Sequence, residues 1–324
     1  MGHEAGGIPG GRRRPPGEGG GRESNDPQPS PAATRRRTSG KALRRIRRFA
    51  TAAGLGIGVV ELNLRRPPTP LKVNLALTYR CQYRCQTCDI WQVKPTGELT
   101  PDEVLTFVAR NDFLRWADLT GGEIFLRQDI DEILGAIGRN WKKLAILHYP
   151  TNGFLTERIV VATRRLVAST AARVVVTVSI DGPEKLNDAV RGVDGGYRRQ
   201  VETFRKLREI PGVKAVVGMT LSALNLGAVS STLEALAKDC PGLSPDDLHL
   251  NVMQISPHYY GNEQHRELVP AKPEVEAVLA RHRAARRPRY SVEGWLEERL
   301  LAHLRGLLRT GRPPLPCAAL PARR

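Results

Sequence analysis

Cysteine is scarce in this chain, five among 324 residues, and its distribution excludes a secreted disulfide scaffold. Three of the five crowd into the stretch from Cys81 to Cys88. An odd, clustered set does not make a disulfide framework, so a reducing cytoplasm is the expected compartment. Aromatic residues amount to only 5%, few for the interleaved rings that stack nucleic-acid bases. Long apolar runs are missing too. The stretch from Phe49 to Val60 stops at Glu61, short of the ~20 residues a membrane-crossing helix needs. It also lies too far from the N-terminus, without a small-residue cleavage site, to be a signal peptide. Net charge is absent from the middle of the chain: residues 71–264 hold 23 Lys/Arg against 22 Asp/Glu, while residues 1–70 hold 14 against 5 and residues 265–324 hold 13 against 6. The formal +17 therefore belongs to the two ends.

What is present divides into four regions. Residues 1–40 are rich in Gly, Pro and Arg without apolar periodicity and are expected to form a disordered basic tail. Residues 41–70, a basic cluster followed by the apolar run, are expected to form a lead-in helix packed on the domain; a basic amphipathic helix touching a membrane surface is the alternative. Residues 71–264 alternate short Val/Ile/Leu runs with segments of helical period. Strands are expected at 71–78, 116–120, 143–149, 173–180, 213–221 and 247–256, apolar on both faces as in buried parallel sheets. Thr100, Pro101 and Glu103 have the spacing of a capping box with proline at the first helical position. Six strand-then-helix units imply an α/β fold, a partial (β/α)6 TIM-like barrel with right-handed crossovers. Residues 265–324 read as a helical C-terminal extension with two helices between 270 and 309.

In such barrels the chemistry sits on the loops leaving the carboxyl ends of the strands. Those ends carry Cys81/Cys85/Cys88, then Gly121-Gly122-Glu123, then Thr151-Asn152-Gly153, then Ser179 with Asp181-Gly182. After the fifth strand come Ser222 and Asn225, and at the sixth Gln254 and Ser256. Polar residues and glycines gather at one pole.

The cysteine segment YRCQYRCQTCDIW admits three readings. Spacings of four and three would put the thiols on one face of a helix as small buried hydrophobes, but the intervening residues are polar. A structural zinc site wants four ligands, and no second CxxC or HxxxH lies nearby. A [4Fe–4S] cubane is normally held by four cysteines, so three would leave one iron open to bind another molecule.

CxxxCxxC after the first strand, LTGGE at the second, SIDGP at the fourth and six β/α units together resemble the radical S-adenosylmethionine (radical SAM) enzymes, over about residues 70–260. The resemblance implies that Cys81, Cys85 and Cys88 hold a [4Fe–4S] cluster whose free iron chelates S-adenosylmethionine, cleaved reductively to a 5′-deoxyadenosyl radical that abstracts a substrate hydrogen. It further implies that Gly121 and Gly122 let the backbone approach the methionine end of the cofactor and that Glu123 lies near its ammonium. Asn152 belongs to a ribose-side turn, Ser179 and Asp181 bond ribose hydroxyls or the carboxylate, and Arg191, in DAVRG, grips that carboxylate with its planar fork. Tyr197, Asn225 and Gln254 are candidates for the cavity wall. One position departs from the family: the residue before the third cysteine, usually aromatic and near the adenine, is Thr87, so Tyr83 or Trp91 would supply the ring.

SIDGP with a following RG resembles the SPASM/twitch-containing subgroup, in which many members modify peptides and the chain continues into a cysteine-rich domain with auxiliary clusters. Cys317 with Ala318 and Ala319 looks like the first step of that domain's entry motif broken off, which raises the expectation of a missing or truncated auxiliary domain. The resemblance points to a peptide or protein substrate and to an electron donor such as flavodoxin or ferredoxin. RNA modification is the alternative suggested by the basic ends, along with weak contact to an anionic membrane or nucleic acid. A non-catalytic remnant of the family is the third reading.

Overall fold

A computed structural model describes residues 31–64, 69–286 and 292–311. It opens with helix α1 (Pro31–Leu64). Then β1 (Lys72–Thr78), β2 (Trp116–Gly121), β3 (Ile146–Thr151), β4 (Arg173–Ser179), β5 (Val213–Leu221) and β6 (Leu248–Val252) alternate with α2 (Pro101–Arg110), α3 (Ile130–Asn140), α4 (Thr156–Ser169), the pair α5 (Glu184–Arg191) and α6 (Gly196–Arg208), and α7 (Val229–Asp239). Helices α8 (Lys272–Ala285) and α9 (Val292–Thr310) follow. All five strand pairings are parallel and the strand order is the chain order, so β1 and β6 are the edges of a partial barrel. By contact density the chain divides into Met1–Leu43 and Arg44–Arg324, and the barrel lies in the second unit.

Local signals act as the sequence predicts. The Thr100 hydroxyl accepts from the Glu103 amide (3.3 Å) while the Glu103 carboxylate accepts from the Thr100 amide (2.8 Å), and with Pro101 this box starts α2. The outward side of the sheet packs Leu75, Leu119, Leu147, Val176 and Val217 against Ile133 and Ile137 of α3, Ile159 and Leu166 of α4, and Phe204 and Leu207 of α6.

Some expectations change. The first three strands alternate instead of being apolar on both faces, because their inner faces line an open lumen. There Asp118 accepts from Trp116 Nε1 (2.8 Å), pairs with Lys72 (2.6 Å) and meets His148 Nδ1 (3.2 Å), whose Nε2 lies 2.9 Å from the Thr177 hydroxyl. Strand β3 begins at Ile146 and not at 143, because the Leu144 amide is spent on a turn to Trp141 O (3.2 Å). Strand β6 ends at Val252 and not at 256, because the Ser256 amide turns to the Asn262 side chain (3.0 Å). Helix α5 is an element the periodicity did not predict. Residues 31–40, expected in the disordered tail, are helical: proline fits a first helical turn, and Ala and Arg are strong helix formers. Residues 1–30 of the expected tail, and Cys317 with its neighbours, lie outside the described residues.

From residue 44 onward α1 lies across the amino ends of the strands. Arg48 Nη2 donates to Gly212 O (3.4 Å), just before β5. Gly58 is buried, and a Cβ there would come within 2.9 Å of Leu71, just before β1. At the far edge His282 of α8 reaches Leu248 O (3.1 Å), and Glu297 of α9 meets His249 Nδ1 (2.9 Å), so both helices pack on β6.

Candidate active site

The chain leaving β1 enters an irregular loop, not a helix, which removes the helical-face reading of the cysteines. A turn in which Cys88 N donates to Cys85 O (3.2 Å) brings the last two thiols round. All three cysteines are half-buried.

Loops from four strand ends hold this segment. From β2, Gly122 N donates to Thr78 O (2.7 Å) and Glu123 N to Arg80 O (2.8 Å). Both glycines are required for that approach: a Cβ on Gly121, whose φ is +122°, would lie 2.2 Å from Thr78 O, and one on Gly122 would lie 2.1 Å from Arg80 O. From β3, Asn152 and Gln82 exchange amide bonds (3.0 and 3.2 Å), and Asn152 Nδ2 lies 3.8 Å from Cys81 Sγ. From the segment after β4, Arg191 O accepts from Arg84 N (3.1 Å) and Val190 O from Gln86 N (2.9 Å). From the segment after β6, Tyr260 O accepts from Asp89 N (2.8 Å), Asn262 Nδ2 donates to Thr87 O (2.9 Å), and Gln264 Nε2 donates to Asp89 Oδ2 (2.6 Å).

Glu123 is fully buried and ties β2 to β3: Oε2 accepts from Thr151 Oγ1 (2.9 Å) and Asn152 N (2.7 Å), and Oε1 from Phe125 N (3.3 Å). Burial pushes its carboxyl up to about 7, and those hydrogen bonds pull it the other way. Asp181 is likewise engaged at both oxygens, by Thr220 N (2.8 Å) and by Arg191 Nη1 (2.6 Å). Ser179 ends β4, and its carbonyl accepts from Gln200 Nε2 (2.7 Å).

Arg191 is buried with its guanidinium 5.1 Å from the centre of the Tyr83 ring, and its Nε has no hydrogen-bond partner. Burial works against its charge, but Cys85, Asp181 and Tyr83 outweigh burial and raise its pKa. Burial pushes Cys85 to about 11 and Cys88 to about 12 and raises Cys81 as well, while Arg191 draws all three down. The thiols therefore keep their protons at neutral pH until a metal displaces them.

Several predicted residues serve elsewhere. Tyr83 is wholly buried, edge-on to Phe154 at 6.1 Å, so its ring is closed to an adenine, and the Arg84 guanidinium covers one face of the half-buried Trp91 at 4.6 Å from its ring centre. Tyr197 packs in the helical layer with its hydroxyl on Asp239 (3.1 Å), and Asn225 closes the end of β5 through bonds to Asp181 O and Thr220 O (both 3.0 Å). Gln254 is exposed and its carbonyl accepts from Asn262 Nδ2 (3.0 Å). Two tyrosines of the polar loop 257–265 were not singled out as cofactor residues. Tyr259 shares a hydrogen bond with the Thr120 hydroxyl, and both Tyr259 and Tyr260 lie close enough to Cys88 for an ionised thiol there to raise their pKa. Burial first, then Tyr259 and Cys88, push Tyr260 to about 12. Their signal was the pair YY in the polar loop after the last strand.

The donor set fits an iron–sulfur cubane. Three mutually interacting thiols share one loop, a buried guanidinium beside them offsets thiolate charge, and one of its N–H groups is left unpartnered. Among the described residues no three His, Cys, Asp or Glu side chains converge on a single ion, and thiolates bound to three separate corners of a cluster need not do so.

Comparison with known proteins agrees. The Radical SAM superfamily profile matches residues 75–226. The antilisterial bacteriocin subtilosin biosynthesis protein AlbA of Bacillus subtilis (strain 168) is 28% identical over 171 residues, 49% of this chain and 35% of AlbA. The PqqA peptide cyclase of Rhodopseudomonas palustris (strain ATCC BAA-98 / CGA009) is 28% identical over 225 residues, 67% of this chain and 55% of the cyclase. The chain thus spans from about a third to just over half of these relatives. In fold it is similar to the solved structure of native anSMEcpe with bound AdoMet, at a TM-score of 0.52 and 17% identity, covering 76% of this chain and 68% of that one. Residues 75–226, which carry the cysteine loop and most of the partial barrel, thus match the Radical SAM superfamily profile, and the cofactors that accompany such a domain are a [4Fe–4S] cluster and S-adenosylmethionine.

Proposed function

We propose that this protein is a radical SAM enzyme that abstracts hydrogen from a peptide or protein substrate. The observation that carries the reading is the three-cysteine loop at the carboxyl pole of the barrel, held by four other strand-end loops beside a buried arginine. When bound, the cluster and S-adenosylmethionine supply a reducing electron and a 5′-deoxyadenosyl radical.

Cys81, Cys85 and Cys88 hold the cluster. Gly121 and Gly122 fit the β2 loop against the cysteine loop and leave backbone carbonyls for the cofactor's ammonium. Glu123, already engaged at both oxygens, acts as a positioning residue that fixes Asn152 beside Cys81. Asn152 and Ser179 border the ribose, and Asp181 orients Arg191, whose unpartnered Nε is the donor offered to the cofactor carboxylate. Tyr259 and Tyr260 supply the adenine side that Thr87 leaves without a ring. Below them the Asp118–His148–Thr177 network gives the lumen a polar floor suited to peptide groups.

AlbA and the PqqA peptide cyclase bear names that describe bacteriocin biosynthesis and peptide cyclisation, and they support the peptide class. The reductant in this reading is a low-potential carrier such as flavodoxin or ferredoxin, and the basic ends offer contact with anionic surfaces. The test is reconstituted enzyme given side-chain-deuterated peptides. Deuterium in the 5′-deoxyadenosine supports the proposal. Deuterium arriving only from labelled RNA would replace it with RNA modification, and none from either would favour the remnant.

A further inference from the structure

Six of the eleven large apolar side chains exposed among the described residues belong to α1: Ile46, Phe49, Ile57, Val59, Val60 and Leu64. Five of them, with Ala53, recur at steps of three or four along residues 46, 49, 53, 57, 60 and 64, which is one face of an α-helix. Their exposure is high: 65% for Ile46, 78% for Phe49, 63% for Ile57, 58% for Val60 and 80% for Leu64. The helix is not loose, since its other side is seated on the amino pole of the barrel through Arg48 on Gly212 and Gly58 over Leu71. An apolar stripe about 27 Å long, at 1.5 Å per residue, thus points outward from the pole opposite the cysteine loop.

Positive charge predominates along this stretch of sequence: residues 31–64 contain eight Lys/Arg against one acidic residue, Glu61. Arg45 and Arg47, both exposed, flank Ile46 on either side. No helix among the described residues is long and apolar enough to cross a membrane. A second copy of the chain, laid stripe to stripe, would bring like charges together. Nucleic acid would answer the arginines but leave Phe49, Ile57 and Leu64 in water.

We propose that α1 is an interfacial anchor that lays this stripe into the headgroup boundary of an anionic bilayer, with Arg45 and Arg47 among the phosphates, leaving the cysteine loop turned to the aqueous side. The inference is independent of the radical chemistry.

The full chain is to be cosedimented with vesicles of phosphatidylcholine alone and with phosphatidylglycerol mixed in. Binding at least tenfold stronger to the anionic vesicles is expected, weakening as salt is raised. Phe49→Glu with Ile57→Glu should lower that binding at least tenfold with an unchanged thermal midpoint, because both positions are largely in water. Val161→Glu, at an exposed apolar position on α4 (42%), should leave binding unchanged. Equal binding to both vesicle types, or full binding by the double variant, overturns the proposal. So does a wild type that ignores vesicles and sediments as a dimer which the double variant dissolves.

Discussion

Replacing Asn262 by alanine tests how the cysteine loop is held. Asn262 is wholly buried and makes three hydrogen bonds: it donates to Thr87 O (2.9 Å) and Gln254 O (3.0 Å) and accepts from Ser256 N (3.0 Å). At a net ~1 kcal/mol each, their loss costs about 3 kcal/mol, or a thermal midpoint about 6 °C lower for a chain of this size. The damage should be local, because Thr87 directly precedes Cys88 and the segment from Ser256 to His265 is the strap over that loop. The assay pairs thermal unfolding of the metal-free protein with the rate of iron loss in air after reconstitution. Both should worsen in Asn262→Ala. Asn262→Asp should do no better, since a carboxylate cannot donate to the two carbonyls. A midpoint within about 1 °C of the wild type, roughly the scale of half a kcal/mol, with unchanged iron loss, would refute the idea that the strap holds the cluster loop.

Three further outcomes follow from the geometry. Gly122→Ala forces a Cβ to within 2.1 Å of Arg80 O, so iron incorporation should collapse while far-ultraviolet dichroism stays near wild type. Tyr260→Ala should weaken S-adenosylmethionine binding about tenfold, the low end of the ~1–3 kcal/mol of aromatic stacking on a base, with Tyr260→Phe close to wild type in calorimetry. Burial lowers the His249 imidazole, but Glu297 outweighs it and raises the pKa. Stability from the pair is therefore complete below the ordinary value of ~6.5 and is lost as pH climbs through the raised one; the thermal midpoint should fall from pH 6 toward 9, and Glu297→Gln should flatten that profile.

Signals confined to a few neighbouring residues were the legible ones. Thr100, Pro101 and Glu103 define the start of α2 among themselves, and the order of cysteine, Gly-Gly-Glu, Thr-Asn-Gly and Ser-Ile-Asp loops marks the reactive pole because each follows its own strand. Pairings across the chain were hidden. Nothing near Gly122 says that the backbone it must admit is Arg80, and Asn262 finds Thr87 across 175 residues. Tyr83 and Trp91 were plausible adenine partners by proximity in sequence, yet packing against Phe154 and Arg191 takes the first and Arg84 covers a face of the second. The lumen misled for another reason: dense Val and Leu on the outward positions masked the polar alternates Asn74, Asp118 and His148, which the open barrel requires.

The most direct test of the central claim is cofactor cleavage. The protein is purified without oxygen, supplied with iron and sulfide, reduced with dithionite and given S-adenosylmethionine, and 5′-deoxyadenosine is measured beside a Cys85→Ala control. Product is expected from the wild type and none from the control. A wild type that takes up zinc in place of a cluster, or assembles the cluster and cleaves nothing, would contradict the claim.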